Sequence, residues 1–325
     1  MNWIPVEFDL PDQSKIYNIT YEGKVGHYSD SAFFNEKNKS WYWDEAETKI
    51  VNDKVLAWAE LPIPYRGDRF AYGAIIGDII GSIYEFNNIK SKDFPFWSPN
   101  AFFTDDTVMT IAIYVSIVMH KKDPKKDFKK LLIINMQKFG KKYPSCSYGA
   151  RFGVWLREKD PKPYYSFGNG SAMRVSAAGF LAENLDEAIQ YARKSAEVTH
   201  NHPHGIAGAE SVAVGIYMAR DGKSKERIKN ELSKYWNLNF TLDEIRPYYG
   251  FDETCQGTVP QAIVAFLESE GFEDAIRNAI SIGGDSDTLA AITGSLAEAY
   301  YGIPCEMKKK ALHYLDKYLR SIALS

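Results

Sequence analysis

The pattern of apolar and polar positions changes character near residue 69. Before it, short runs rich in aromatic and β-branched residues (Lys15–Tyr21, Val25–Phe34 and Ser40–Trp43) are separated by Glu22-Gly23 and Asn35–Lys39, which favour turns. This predicts a small β-rich unit over residues 1–68. Pro62, Pro64 and Gly67 predict a linker at its end, and Trp41, Tyr42 and Trp43 are expected in its small core rather than on a partner surface. From Phe70 onward the periodicity is helical. A helix capped by Thr104 is predicted to run through Met119, with others over Leu131–Phe139, Ile206–Arg220, Thr258–Glu268 (Pro260 in the first turn) and Met307–Ile322. Tyr148–Leu156 reads as a loop leading into a short helix, and another helix opens near Ser171. Lys121–Lys130 and Asp221–Phe240 read as solvated surface. A compact all-α domain is therefore expected over residues 69–325.

Two helix starts in this region share a device. Ile282–Ala291 reads I-G-G-D-S-D-T-L-A-A, a glycine turn followed by Asp285, Asp287 and Thr288, and the chain continues with Ile292, Gly294, Leu296, Ala297 and Ala299. A helix this apolar on nearly every face is expected to be buried. Its first turn then carries two carboxylates into the interior, where unpaired charge is costly. Free N–H groups and the positive end of the macrodipole cannot easily satisfy both. Phe103–Met119 repeats the device, with Thr104 at the N-cap and Asp105, Asp106 and Thr107 in the first turn. One such turn reads as ordinary capping. Two, each opening a helix too apolar for the surface, point to a hard cation held by oxygen ligands, Mg2+, Mn2+ or Ca2+ rather than zinc.

Other candidate chemistry surrounds these turns. Gly73, Gly77 and Gly81 fall four apart and line one helix face, with Glu85 next on the stripe. The glycines read as close packing of another helix, and Glu85 as a carboxylate able to reach whatever that face surrounds. Asp78, beside the stripe, reads as a structural hydrogen-bonding residue. In S-F-G-N-G-S-A-M-R-V-S (166–176), Gly168 and Gly170 bracket Asn169. That composition lets successive backbone N–H groups face an anion, with the helix near Ser171 adding its positive end. His200, His202 and His204 in T-H-N-H-P-H-G invite a zinc assignment. Pro203 interrupts that segment and no cysteine lies nearby, so they read instead as loop histidines that contact ligand or cap the next helix.

Composition narrows the class. The 325 residues are 45% hydrophobic and 25% charged, with a formal net charge of -3, which leaves no electrostatic footprint for nucleic acid. Cys146, Cys255 and Cys305 are odd in number and widely spaced, an argument against a disulfide framework and for a reducing, cytoplasmic setting. No signal-peptide pattern opens the chain, and no apolar run is long enough to span a bilayer.

Five motifs in order, G-D-I-I-G-S-I-Y-E-F (77–86), F-T-D-D-T (103–107), G-N-G-S-A-M-R (168–174), T-H (199–200) and G-G-D-S-D-T (283–288), resemble those of the ADP-ribosylglycohydrolases, the family that includes dinitrogenase reductase-activating glycohydrolase. The resemblance covers about residues 70–305. It implies an all-helical fold with two Mg2+ or Mn2+ ions held by Thr104, Asp105, Asp106, Asp285, Asp287 and Thr288. It also implies a hydrolase that cleaves the glycosidic bond between ADP-ribose and a modified protein side chain by a metal-oriented water, so that an ADP-ribosylated protein and ADP-ribose are its partners. Glu85 is the implied catalytic acid or base beside the metals, with Asp105 or Asp106 as the fallback. Gly168, Asn169 and Gly170 would cradle the diphosphate, Phe167 or Tyr148 would stack on the adenine, and His200 would line the cleft. Members that cleave ADP-ribosyl-arginine often carry an aspartate shortly before G-N-G. Ser166 stands here instead, more like the branch acting on ADP-ribose linked to hydroxyl oxygens.

Residues 1–68 separately resemble a small uncharacterised domain of bacterial and phage proteins that opens W-I-x-V and closes W-x-x-L-P-x-P, as W-I-P-V (3–6) and W-A-E-L-P-I-P (58–64) do here. That resemblance implies no activity. Because the family chemistry does not require this unit, it motivates an alternative: an immunity or regulatory protein that docks a partner on residues 1–68 and sterically neutralises an ADP-ribosyltransferase. A third reading is a metal-dependent phosphohydrolase, which would release phosphate.

Overall fold

The computed structural model describes residues 4–7, 9–23, 26–44, 46–59 and 70–324. The chain divides into two compact units, Met1–Tyr65 and Arg66–Ser325. The expected linker residues Pro62, Pro64 and Gly67, the 68/69 boundary and Val25 lie outside the described residues.

In the first unit, β1 (Ile4–Pro5), β2 (Lys15–Gly23), β3 (Gly26–Asn35), β4 (Ser40–Tyr42) and β5 (Lys54–Ala59) form a sheet in the order β1-β5-β2-β3-β4. Every neighbouring pair is antiparallel. The alternation of a strand puts Tyr17 and Ile19 of β2, and Ala32 and Phe34 of β3, on one buried face. The register pairs Tyr17 with Ala32 and Ile19 with Trp58. Tyr17 meets Trp58 and Trp41 edge-on, with ring centroids 5.1 and 6.0 Å apart, an arrangement that aromatic quadrupoles favour. Trp41 thus belongs to the core and Trp43 packs against it half-buried.

The second unit is helical: α1 (Tyr72–Gly81), α2 (Asp105–Lys122), α3 (Phe128–Lys142), α4 (Ala150–Trp155), α5 (Gly170–Met173), α6 (Ser176–Leu181), α7 (Leu185–Glu197), α8 (Pro203–Arg220), α9 (Lys225–Leu232), α10 (Leu242–Ile245), α11 (Cys255–Leu267), α12 (Phe272–Ser281), α13 (Ser286–Tyr301), α14 (Cys305–Tyr314) and α15 (Lys317–Ala323). "All-α" therefore fits this unit and not the whole chain. Helix α13 is buried from Ser286 through Ala299, and α1, α8, α11 and α12 pack around it. Its contact with α1 is backbone on backbone. A Cβ added at Gly73 would lie 2.1 Å from the Gly294 carbonyl oxygen, one at Gly77 2.0 Å from that of Ala290, and one at Gly81 2.4 Å from the Asp287 Cα. The stripe read from the sequence thus brings the end of α1 onto the first turn of α13. Glu298 completes the pairing by accepting the Gly73 N–H at 2.7 Å.

Several expected boundaries move. The predicted last helix is two, because Asp316 accepts the Leu319 N–H at 2.8 Å and caps a new start; periodicity alone does not register that break. Helix α11 begins at Cys255 under a Thr254 cap, which leaves Pro260 inside it rather than in its first turn. Asp221–Phe240 is not all surface: Ile228, Leu232, Trp236 and Leu238 are buried, so its many charges mask an amphipathic stripe. Helix α12 had no counterpart in the sequence reading. The three cysteines are free, and no described helix is long and apolar enough to cross a membrane.

The α1–α13 contact is testable. Gly77→Ala should destabilise the protein by about 3 kcal/mol, since the backbone it meets cannot yield. Gly153→Ala, whose Cβ would meet nothing within 4 Å, should leave the thermal midpoint unchanged or raise it. Equal midpoints for the two variants would refute the close approach.

Candidate active site

Three element ends meet beside this contact. Thr104 caps α2 with extended backbone, its side chain accepting from the Asp106 N–H. Asp78, fully buried on α1, accepts from Thr104 N at 2.9 Å, Thr104 Oγ1 at 2.7 Å and Thr107 N at 3.0 Å. It is a structural residue, as the sequence suggested, and it locks the start of α2 to α1. On the other side Gly283 and Gly284 take φ of 70° and 82°, a left-handed pair that glycine permits, so that Asp285 sits at the N-cap of α13.

Glu85 lies beyond the end of α1, not on the helix stripe. Asn88 places it: its Nδ2 donates to the carbonyls of Tyr84 and Glu85 at 2.8 Å each and to that of Gly284 at 2.9 Å. Its Oδ1 accepts the Gly284 N–H at 2.7 Å. Lys90 Nζ donates to the Ile282 carbonyl at 2.5 Å on the same turn. One asparagine thus couples the Glu85 turn to the Asp285 turn.

The result is a cavity of about 430 Å³ lined by Glu85, Asp105, Asp106, Asp285, Asp287 and Thr288, by Ser166, Phe167, Gly168, Asn169, Gly170 and His200, and by the charged Arg151, Arg174 and Glu253. Glu85, Asp285 and Asp287 each bring an oxygen within 4.8 Å of the others, the only such His, Cys, Asp or Glu grouping among the described residues. Burial, then Asp285 and Asp78, push the Glu85 carboxyl up to about 7. Burial first and neighbouring carboxylates next hold Asp105, Asp106 and Asp287 well above the usual range. Few groups work the other way. Thr288 Oγ1 donates to Asp106 Oδ2 at 3.2 Å and Asn169 Nδ2 to Asp285 Oδ2 at 2.7 Å, while the buried Asp106 Oδ1 has no hydrogen-bond partner. An orphaned buried carboxylate oxygen within an all-oxygen, mutually repelling donor set fits a hard cation.

Two predicted site residues stand off the pocket wall. Thr104 spends its hydroxyl on Asp78 and the α2 cap. Tyr148 is absent from the wall formed by its neighbours Ser147 and Gly149; its ring packs edge-on to Phe152 at 5.8 Å, because the apolar core competes successfully for it. The amide row expected at Gly168–Gly170 is also partly consumed. Gly168 N donates to Ser166 Oγ at 3.2 Å and Asn169 N to the Glu253 carbonyl at 2.8 Å, and neither glycine takes positive φ. Asn169 acts instead through its side chain, on Asp285 and on Thr258 Oγ1 at 3.1 Å.

His200 is buried on the wall, while His202 caps α8 by accepting the His204 N–H at 3.0 Å. Sequence reasoning missed Asn88, Tyr164, Arg174 and Phe251. Arg174 carried a signal, an arginine inside an apolar helical run. Phe251 sits at the rim, stacked on the exposed Phe86 with centroids 6.1 Å apart.

Residues 68–324 match the model of the ADP-ribosylglycohydrolase family. The ADP-ribosylhydrolase ARH3 of Xenopus tropicalis is 25% identical over 321 residues, covering 75% of this chain and 90% of its own. Human ADP-ribosylhydrolase ARH3 is 26% identical, covering 71% and 84%. The ADP-ribosylarginine hydrolase Tri1 of Pseudomonas putida (strain GB-1) is also 26% identical, covering 71% and 69%. A solved structure described as an ADP-ribosylglycohydrolase-related protein complex superposes with a TM-score of 0.59 at 24% identity, over 80% of this chain and 96% of that one, which speaks to the fold.

The carboxylate cluster sets a pH and cation signature. Glu85 holds its proton up to about 7 in the folded chain against an ordinary 4.5, so between those values the folded state binds more protons than the unfolded. Metal-free stability should therefore fall as pH rises through that window. Saturating Mg2+ or Mn2+ should raise the thermal midpoint and flatten the fall, and Asp287→Asn should cancel the cation-dependent rise. Scanning fluorimetry across that pH range reads both, and a midpoint indifferent to either cation would sink the metal assignment.

Proposed function

The chain belongs to the ADP-ribosylglycohydrolase family and is an ADP-ribosyl hydrolase, and from that premise we propose that its pocket removes ADP-ribose from an oxygen-linked protein side chain. The observation that carries the reading is the acidic cluster of Glu85, Asp285 and Asp287, which shares a single cavity with the Ser166–Gly170 loop and His200. The ribose lies toward the carboxylates and the diphosphate beside Gly168–Gly170. Phe167 and Tyr165, both exposed at the wall, serve the adenine in place of Tyr148.

Two Mg2+ or Mn2+ ions held among Asp105, Asp106, Asp285, Asp287 and Thr288, with Glu85 alongside, would polarise the sugar hydroxyls and lower the pKa of water. The chain's own residues supply the rest. Asn169 aims Asp285 and Thr288 aims Asp106 through the bonds described above. Glu85, half-buried with its carboxyl near neutrality, can hold a proton for the leaving oxygen or take one from the attacking water. Asp105 and Asp106 are the fallback for that role. The linkage follows from Ser166. A carboxylate there would pair with a guanidinium, whereas its hydroxyl accepts the Gly168 N–H at 3.2 Å and offers no charge. Nothing in the described residues favours the steric-antagonist alternative.

The test is release of ADP-ribose from serine-linked and arginine-linked ADP-ribosylated proteins, with Mg2+ and then with a chelator. Faster release from the serine-linked substrate, abolished by chelation, is expected. Glu85→Gln should lower kcat by about 10²–10⁴-fold while ADP-ribose still binds. Release from the arginine-linked protein alone would overturn the oxygen linkage, and release of phosphate in place of ADP-ribose would replace the reading with a phosphohydrolase.

A further inference from the structure

Arg174, in the turn after α5, is a buried cation that lines the cavity and donates hydrogen bonds within the chain. Its Nη2 donates to the Ser195 carbonyl at 2.9 Å and to Thr199 Oγ1 at 2.8 Å. Thr199 is fully buried, and its Oγ1 lies 2.7 Å from His200 Nδ1. A guanidinium donates and never accepts, so the Thr199 oxygen is an acceptor toward Arg174 and its single proton needs a destination. Among the described residues the one remaining partner of that hydroxyl is His200 Nδ1. If Nδ1 carried the ring proton, the threonine O–H would be left unpaired at a site with no access to water, a situation buried hydroxyls avoid. The satisfied arrangement puts the threonine proton on the bond to Nδ1 and the ring proton on Nε2.

That nitrogen faces the pocket. His200 Nε2 lies 3.3 Å from the place a Cβ at Gly170 would occupy and 3.6 Å from the corresponding place at Gly168, and His200 shares the cavity wall with both. We propose that Arg174 and Thr199 are positioning residues that fix His200 as the Nε2–H tautomer, so that the pocket presents a neutral, oriented N–H donor to a phosphate or hydroxyl oxygen of ADP-ribose beside Gly168 and Gly170. The ligand's identity rests on the function proposed above; the tautomer does not. Burial first, and Arg174 second, hold the His200 pKa well below 6.5, so the ring binds as a donor rather than as a cation. The glycines gain a reason as well. A side chain at 170 would occupy the space in front of Nε2. With two of the loop amides committed elsewhere, this ring supplies a donor that the backbone there does not.

The tautomer can be read in the full chain by ring nitrogen-15 NMR of His200, with and without Mg2+ and without any substrate. Nε2 protonated and Nδ1 bare is the expected result; a ring protonated on Nδ1, or on both nitrogens, overturns the proposal. Thr199→Val keeps the shape and removes the relay. It should mix the tautomers and weaken ADP-ribose binding by about tenfold, the scale of one hydrogen bond, with Thr199→Ser restoring both. Parent-like binding and tautomer in Thr199→Val would also overturn it. If the parent shows the expected ring signature yet neither binds nor hydrolyses ADP-ribosylated protein, the functional reading fails and the relay stands.

Discussion

Mutual repulsion among buried carboxylates is the constraint that the second unit is built to withstand. Glu85, Asp105, Asp106, Asp285 and Asp287 wall one cavity, and burial reinforced by neighbouring acids drives the Glu85, Asp105, Asp106 and Asp287 pKa values upward. No isolated turn would hold such a set together. The glycine stripe of α1 lets backbone touch backbone along α13, and that contact fixes where the first turn of α13 must lie. Asp78 then pins the start of α2 to α1 with three hydrogen bonds. Asn88 joins the Glu85 turn to the glycine turn before Asp285. The fold spends its most constrained contacts on assembling a site that a divalent cation would relax.

The facing wall is built on the opposite principle. Several of its polar groups are satisfied inside the chain: Gly168 N on Ser166, Asn169 N on Glu253, and the Thr199 hydroxyl between Arg174 and His200. Where the acidic wall leaves an oxygen orphaned, this wall leaves one imidazole face turned to the cavity. An anion placed beside a repelling acidic cluster gains from donors that carry no competing charge and whose direction is set in advance. Tyr165, Phe167 and Phe251 are aromatic residues of the cavity lining, and Phe251 stacks on the exposed Phe86. The first unit makes its core from Tyr17, Ile19, Phe34, Trp41 and Trp58 without reference to any of this.

Much of this was legible in the residues. Two D-x-D or D-D turns opening helices too apolar for the surface pointed to an interior acidic site over ordinary capping, because composition fixes burial and burial fixes the cost of charge. The glycines at 73, 77 and 81 announced a close helix contact by spacing, and Asp78 announced a structural role. Tyr148 was illegible, since an aromatic beside a loop serves core or cleft equally well until the core is seen to claim it. What Thr104 does locally was equally hidden: it donates its one proton to Asp78 and accepts the Asp106 N–H at the α2 cap.

The sequence by itself determined that the chain is helical beyond about residue 70, that the helices opening after Thr104 and Asp285 are interior, and which carboxylates they must carry inward, because hydrophobic periodicity and the cost of buried charge are local properties of the chain. Only the tertiary structure decided that Glu85 reaches the site from a turn held by Asn88, and that Asn169 works through its side chain. Only there does Arg174, far from any carboxylate partner in the sequence, set the proton of His200 through Thr199. These are three-body hydrogen-bond arrangements across separations of 25 to 196 positions, and directional bonds leave no period in a sequence for a reader to find.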